Sequence, residues 1–214
     1  MATIADNLQA VKARIGAVTL LAVSKGQGVD KIRAAVAVGQ RAFGENYLQE
    51  AVQKMDQLPG LEWHLIGPLQ SNKTRAVAER FDWVQTVASE KIAKRLSEQR
   101  PAGLPPLNVL IQVNVSAEAS KSGIQASEVA ALARHIVSLK NLRLRGVMAI
   151  PEPGADRSRY AEVRKIFETL RPLGVDTLSL GMSDDLEIAI EEGSTMVRIG
   201  TAIFGPRSRV RSAA

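Results

Sequence analysis

No cysteine occurs anywhere in the sequence, which excludes a disulfide framework and any thiolate metal site. Histidine is nearly as scarce: with two in the chain, a catalytic metal centre would lack its usual ligands, and none is expected. Aromatic residues make up 4% of the chain against 45% hydrophobic residues in all, so the core must consist mainly of Val, Ile, Leu and Ala. That mixture suits parallel strands covered by helices. No apolar run approaches the length of a membrane span and the N-terminus carries no signal-peptide pattern, so a soluble cytoplasmic protein is expected. Internal repeats and low-complexity segments are also missing. The net charge of +6 would suit anionic partners, nucleic acid included. Lys and Arg are dispersed, however, apart from Arg207, Arg209 and Arg211, and a short basic tail of that kind reads as a solvated end rather than a nucleic-acid arm.

What is present is an alternation of periods. Thr3 to Asp6 has the form of a capping box, and Ile4, Leu8, Val11 and Ile15 follow at helical spacing. Leu20 to Val23 is a short apolar run with Ser24-Lys25 at its carboxyl end, then a Gly-rich break. Asp30 can cap a helix ending at Gly39; Ala42–Asn46 reads as a second strand and Leu48, Val52 and Met55 as the next helix. Further strands are expected at 62–67, 83–87, 108–115, 142–150, 177–182 and 196–204, separated by helices at 72–80, after Ser89, around 129–139, around 160–170 and at 184–192. Eight strands alternating with helices, without a composition break, predict one α/β domain: a (β/α)₈ TIM-type barrel over 1–205, followed by a basic tail at 206–214. Nine residues follow Gly205, too few for an ordinary eighth helix, so the N-terminal helix is expected to complete the outer ring.

In such a barrel the active face lies at the carboxyl ends of the strands, and phosphate often binds after strands seven and eight. Lys25 sits at such an end, where a neutral amine could attack a carbonyl to form a Schiff base; otherwise it is a loop lysine. Gly181-Met182-Ser183 opens a short helix whose N–H groups favour an anion, although Ser183 could simply cap it, and Asp184 and Asp185 would repel phosphate unless turned away. Gly200 would allow close backbone approach and Thr201 offers a hydroxyl. Arg198, between Val197 and Ile199, faces the opposite way from both, as a core ion pair or a ligand contact. Asn46 and His64 stand near the mouth ends of strands two and three, the histidine either packed in the core or part of the site.

Taken together, Ala22-Val23-Ser24-Lys25, Phe43-Gly44-Glu45-Asn46, His64-Leu65-Ile66-Gly67 with Leu69 to Lys73, Gly181 to Asp185 and Gly193 to Gly205 resemble the pyridoxal 5′-phosphate homeostasis protein family, akin to the barrel domain of alanine racemase. The match spans essentially the whole chain in order. The resemblance implies a fold-type III barrel that holds pyridoxal 5′-phosphate (PLP) on Lys25. It further implies phosphate contacts from Ser183, Gly200 and Thr201, with Asn46 near the cofactor, Arg198 near the ring nitrogen and His64 as a further candidate. Pro68 and Tyr47 depart from the residues many members carry there, which touches the loops after strands two and three but not the lysine.

Three functions follow for comparison: a PLP-binding carrier in vitamin B6 homeostasis without substantial turnover, a PLP-dependent amino-acid racemase or decarboxylase, and a cofactor-free Schiff-base aldolase. Racemising relatives carry a second, β-rich domain that supplies an acid–base residue across a dimer interface, whereas here a short basic tail follows Gly205. The carrier is therefore preferred and a monomer expected, with PLP, amino acids and PLP-dependent apoenzymes as partners.

Overall fold

Short runs of Val, Leu and Ile with helical segments between them can bury both of their faces only if the sheet is covered outside and filled within. The computed structural model of the protein describes residues 2–116 and 122–206 and meets that demand with a closed barrel of parallel strands in sequence order. The strands are β1 (Thr19–Val23), β2 (Ala42–Glu45), β3 (Glu62–Leu65), β4 (Trp83–Val87), β5 (Leu107–Val113), β6 (Leu142–Ala149), β7 (Thr177–Ser179) and β8 (Met196–Ile199). Closure runs through β1 and β8, with Thr19 opposite Met196 and Ala22 opposite Ile199. Around them lie α1 (Ile4–Ile15), α2 (Val29–Ala37), α3 (Leu48–Gln57), α4 (Thr74–Arg80), α5 (Glu90–Gln99), α6 (Ala126–Val137), α7 (Arg157–Leu170), α8 (Leu186–Glu191) and α9 (Thr201–Phe204). Residues 207–214, with Arg207, Arg209 and Arg211 of the basic tail, lie outside the described residues, as do 117–121.

Strand alternation divides the core in two. Leu20, Ala22, Phe43, Val84, Val109, Val147, Val197 and Ile199 point outward into a large cluster shared with the helices. Leu21, Trp83, Leu110, Met148 and Met196 point inward and form a separate cluster inside the barrel. The remainder of the interior is polar: His64, Gln85, Ser179 and Arg198 are all buried.

The N-terminal helix fills the gap in the outer ring. Thr3 and Asp6 make the anticipated capping box, and α1 packs against α2, β1 and α9. Asn7 Nδ2 donates to the Ile203 carbonyl at 3.0 Å, and Arg14 reaches Glu187 of α8 at 2.6 Å. The mouth-side boundaries differ from expectation. Strand seven was expected to reach residue 182 and strand eight residue 204, but they stop at Ser179 and Ile199. Beyond Gly200 the chain turns into α9, whose apolar Ile203 and Phe204 are buried by helical rather than extended packing. Likewise Gly28, not Asp30, precedes α2, and α8 starts at Leu186 rather than 184.

If α1 completes the ring, it belongs to the same cooperative core. Leu8, 1% exposed, is its most buried side chain. Leu8→Ala is expected to cost ~2–5 kcal/mol in urea unfolding; a loss below about 0.5 kcal/mol would show that α1 docks without contributing to that core.

Candidate functional site

Lys25 follows β1 on a tight turn whose flanks are fixed by a buried ion cluster. Ser24 Oγ donates to Glu45 Oε1 at 2.6 Å. Lys54 Nζ donates to the Ser24 carbonyl at 2.7 Å, to Glu45 Oε1 at 2.6 Å and to Glu50 Oε1 at 2.7 Å. The Gly26 N–H donates to the same Glu50 oxygen at 2.6 Å. The residues on either side of Lys25 are thus tied to one cluster on β2 and α3, which fixes the backbone from which the amine projects. Burial pushes the Glu45 carboxyl up against the opposing pull of Lys54. Sequence reading missed these three charges. The signal was present in the Glu50/Lys54 spacing of four residues and in Glu45 inside a buried strand.

Arg198 projects into the barrel with 4% of its surface exposed. Nη1 donates to the carbonyl and hydroxyl of Ser179, each at 2.8 Å, and Nη2 to the Ala149 carbonyl at 2.9 Å. Among the described residues it has no ion-pair partner, so the core salt bridge does not form. Burial draws its guanidinium down to about 10, with Asp185 pulling the other way. It therefore stays a cation at neutral pH, held by neutral oxygens, and it lines a cavity.

That cavity, about 610 Å³ at the carboxyl ends of the strands, is where the structure brings Lys25, Asn46, Ser183, Arg198, Gly200 and Thr201 together. Its size falls in the range of small-ligand sites. Among the described residues the buried Asn46 Oδ1 has no hydrogen-bond partner, as expected of a ligand-facing acceptor. Asn46 is held by close backbone contact: a Cβ on Gly67 would lie 2.2 Å from the Asn46 carbonyl oxygen. At Gly200 a Cβ would meet the Val23 carbonyl at 3.0 Å, so the glycine is demanded first by the adjoining strand. The first-turn N–H groups of a helix have no intrahelical acceptors, and Gly200 and Thr201 stand at the start of α9.

The acidic objection to an anion here is answered in part. Asp185 accepts from the Met182 N–H at 2.6 Å and from Tyr160 Oη at 2.8 Å, so its carboxylate is engaged by the chain. Asp184 lies on the cavity wall. Ser183 does not cap α8, a place taken by Asp185, and its residue lines the cavity. His64 is not brought to the cavity. Its ring is fully buried within the barrel, with Nδ1 2.9 Å from Gln85 Nε2 and Nε2 2.8 Å from Glu62 Oε1, because an inward position in the middle of β3 points at the barrel axis and not at its mouth.

An amine, a buried cation and N–H donors around one cavity of a (β/α)₈ barrel define the class of alanine racemase-like barrels. The family model of the alanine racemase N-terminal domain matches residues 1–208. The chain belongs to that family and, within it, to the pyridoxal phosphate homeostasis proteins. It is 57% identical to the pyridoxal phosphate homeostasis protein of Pseudomonas aeruginosa over 97% of each chain. With that of Escherichia coli K12 it shares 54% identity over 97% of this chain and 95% of the other. Among solved structures, PipY of Synechococcus elongatus with PLP bound superposes with a TM-score of 0.86 at 34% identity, over 95% of this chain and 100% of that one. Alanine racemase of Corynebacterium glutamicum matches in fold, with a TM-score of 0.75 at 21% identity, over 95% of this chain and 60% of that one.

Two outcomes follow from the geometry. Removing Lys54 leaves Glu45 buried and unpaired, so Lys54→Ala is expected to cost ~3–5 kcal/mol and to speed exchange of the Gly26 amide. A variant with unchanged Gly26 protection would separate the cluster from the Lys25 turn. Burial also holds the His64 imidazole below its ordinary 6.5, against the pull of Glu62. The unfolded chain therefore takes up a proton that the folded chain refuses, so this contribution is present above about pH 6.5 and is lost as pH falls, with a limiting slope of about 1.4 kcal/mol per pH unit. In denaturant titrations from about pH 7 to 5.5, wild type should lose stability relative to His64→Gln; parallel curves would mean that folding does not change the ring's proton affinity, and a relative gain that the folded ring is charged.

Proposed function

We propose that the protein is a PLP-binding carrier in vitamin B6 homeostasis, holding the cofactor as a Schiff base on Lys25 without substantial turnover. The observation that carries this reading is the convergence of Lys25, Arg198, Ser183, Gly200 and Thr201 on one cavity. These are the amine, the cation and the anion donors that an aldehyde, a pyridine nitrogen and a phosphate require. The names of the curated relatives and the PLP bound in PipY support it. When bound, the cofactor supplies an aldehyde for amines and an electron-withdrawing ring. Lys25 would anchor the aldehyde carbon from a turn that the Glu45–Lys54 cluster keeps still. Ser183, Gly200 and Thr201 would seat the phosphate, and Asn46 would offer its buried oxygen to the ring. Arg198, already protonated, would give a hydrogen bond to the ring nitrogen and so disfavour its protonation, which weakens the ring as an electron sink.

That arrangement also argues against racemisation. Moving an α-proton from one face to the other needs two flanking acid–base groups. Among the described residues, the titratable side chains on the cavity wall are Lys25, Asp184 and Arg198. Arg198 is committed as a cation, and Tyr47, 63% exposed, lies off the cavity. Exchange of PLP with apoenzymes, a monomeric state and a cytoplasmic location complete the proposal.

Purified protein loaded with PLP should show visible imine absorbance that Lys25→Ala abolishes while the fold survives. After borohydride reduction the pyridoxyl adduct should map to Lys25, and an adduct mainly on Lys73 would sink the assignment. Lack of any PLP absorbance, with a reducible imine formed directly on a sugar phosphate, would favour the aldolase instead. Incubation with single amino-acid enantiomers in deuterated water should give no more than trace inversion, because a missing acid–base group costs ~10²–10⁴-fold. Robust inversion that requires Lys25 would make the protein a racemase.

A further inference from the structure

The inside of the barrel holds a hydrogen-bonded chain that joins the cavity to the opposite mouth. Arg198 Nη1 donates to Ser179 Oγ at 2.8 Å, and Ser179 Oγ lies 2.7 Å from Gln85 Oε1. Gln85 Nε2 is 2.9 Å from His64 Nδ1, and His64 Nε2 is 2.8 Å from Glu62 Oε1. Arg198, Ser179, Gln85 and His64 are all buried, while Glu62 begins β3 and leaves 46% of its side chain exposed. The interior of such barrels is ordinarily filled by layers of branched apolar side chains, and polar groups there are costly unless every one is satisfied. Here four consecutive links run from β8 through β7 and β4 to β3.

The chemistry of the two ends settles every proton between them. A guanidinium only donates and a carboxylate only accepts. Ser179 Oγ, receiving from Arg198, must donate to Gln85 Oε1. The Gln85 amide nitrogen then faces His64 Nδ1, which must accept, and the ring hydrogen sits on Nε2 and goes to Glu62. A second proton on the ring would oppose the Gln85 N–H. Turning the amide over would then leave the Ser179 hydroxyl with two donors and no acceptor. Trp83 stacks on the His64 ring with centroids 4.9 Å apart, which restrains its rotation. The charged groups around the chain are Asp82 and Arg145 near His64 and Asp185 near Arg198.

We propose that Ser179, Gln85, His64 and Glu62 are positioning residues for Arg198: a one-directional relay that fixes the guanidinium and its donated hydrogen bonds against the ring nitrogen of the cofactor, anchored at the far mouth by a carboxylate. The cofactor end of this proposal rests on the PLP reading above; the relay itself does not.

The test has two arms. In PLP-free protein, ¹⁵N NMR of the imidazoles should find His64 neutral with hydrogen on Nε2, a state that Gln85→Leu and Glu62→Leu convert into a mixture of tautomers. His64 found as the Nδ1–H form or as imidazolium in wild type overturns the relay. In protein loaded with ring-¹⁵N PLP, Gln85→Leu and Ser179→Ala should move the ring-nitrogen resonance and weaken PLP binding about fivefold, as expected for one lost hydrogen bond. Ser179→Ala removes a single hydroxyl and keeps the arm usable where the larger change fails to fold. Variants that lower the melting temperature but leave the ring-nitrogen resonance and PLP affinity within twofold of wild type assign the chain to packing alone and overturn the proposal. Failure of wild type to bind PLP, with the His64 tautomer as described, overturns the PLP reading and the cofactor end while leaving the relay.

Discussion

A cation inside a closed barrel is the constraint on which the rest of the site depends. Arg198 is 4% exposed and, among the described residues, has neutral oxygens and no carboxylate within bonding distance. Removing such a charge from water costs several kcal/mol even after relaxation. The barrel offsets part of that cost with carbonyls at the carboxyl ends of β6 and β7, where chain oxygens are left unpaired as the strands finish. Arg198 also lines a cavity. A buried cation with donors to spare selects for a ligand that brings an acceptor to that point, and the short β7 and β8 make room for it.

The same logic organises the other wall. Lys25 projects from a turn, and turns are ordinarily mobile. Here both neighbours are bound to a largely buried three-charge cluster, so backbone order comes from electrostatics between β2 and α3 and not from the turn. Glu45 makes two short bonds through one oxygen while its other oxygen has no partner among the described residues. Clusters of this kind contribute less to net stability than to a defined geometry, because the desolvation of each charge opposes its pairing.

Solved relatives share the barrel and differ widely in chemistry: PipY, alanine racemases and a D-threonine aldolase all align with this chain. Fold therefore does not decide activity. What distinguishes a holder of PLP from a catalyst is the set of groups at the mouth. On the proposed reading, a protonated arginine at the ring nitrogen and a single amine on the reacting side would bind the cofactor well and exploit it little.

Much of this was legible from residues in a line. Period-2 and period-3.6 patterns depend on local sterics, so the eight strands, the order of helices, the capping box at Thr3 and the N-cap at Ser89 could be read directly. The alternation Val197-Arg198-Ile199 correctly put Arg198 on the opposite face from its two neighbours, which the barrel makes the inner one. Strand ends were less legible. Whether residues 201–204 extend or coil depends on where Ile203 and Phe204 find cover, and that cover comes from distant α1. His64 looked like a mouth residue because chain position does not reveal depth along the barrel axis, which shear and register fix only when all strands pair. The Glu45–Glu50–Lys54 cluster and the Arg198-to-Glu62 relay join residues up to 136 positions apart, Glu62 to Arg198, and exist only because closure brings β3, β4, β7 and β8 around one axis. Local chemistry, then, determined the elements and singled out Lys25 at a strand end. Tertiary closure decided which charges are buried together, since burial and partner distance are properties of the assembled barrel and of no segment within it.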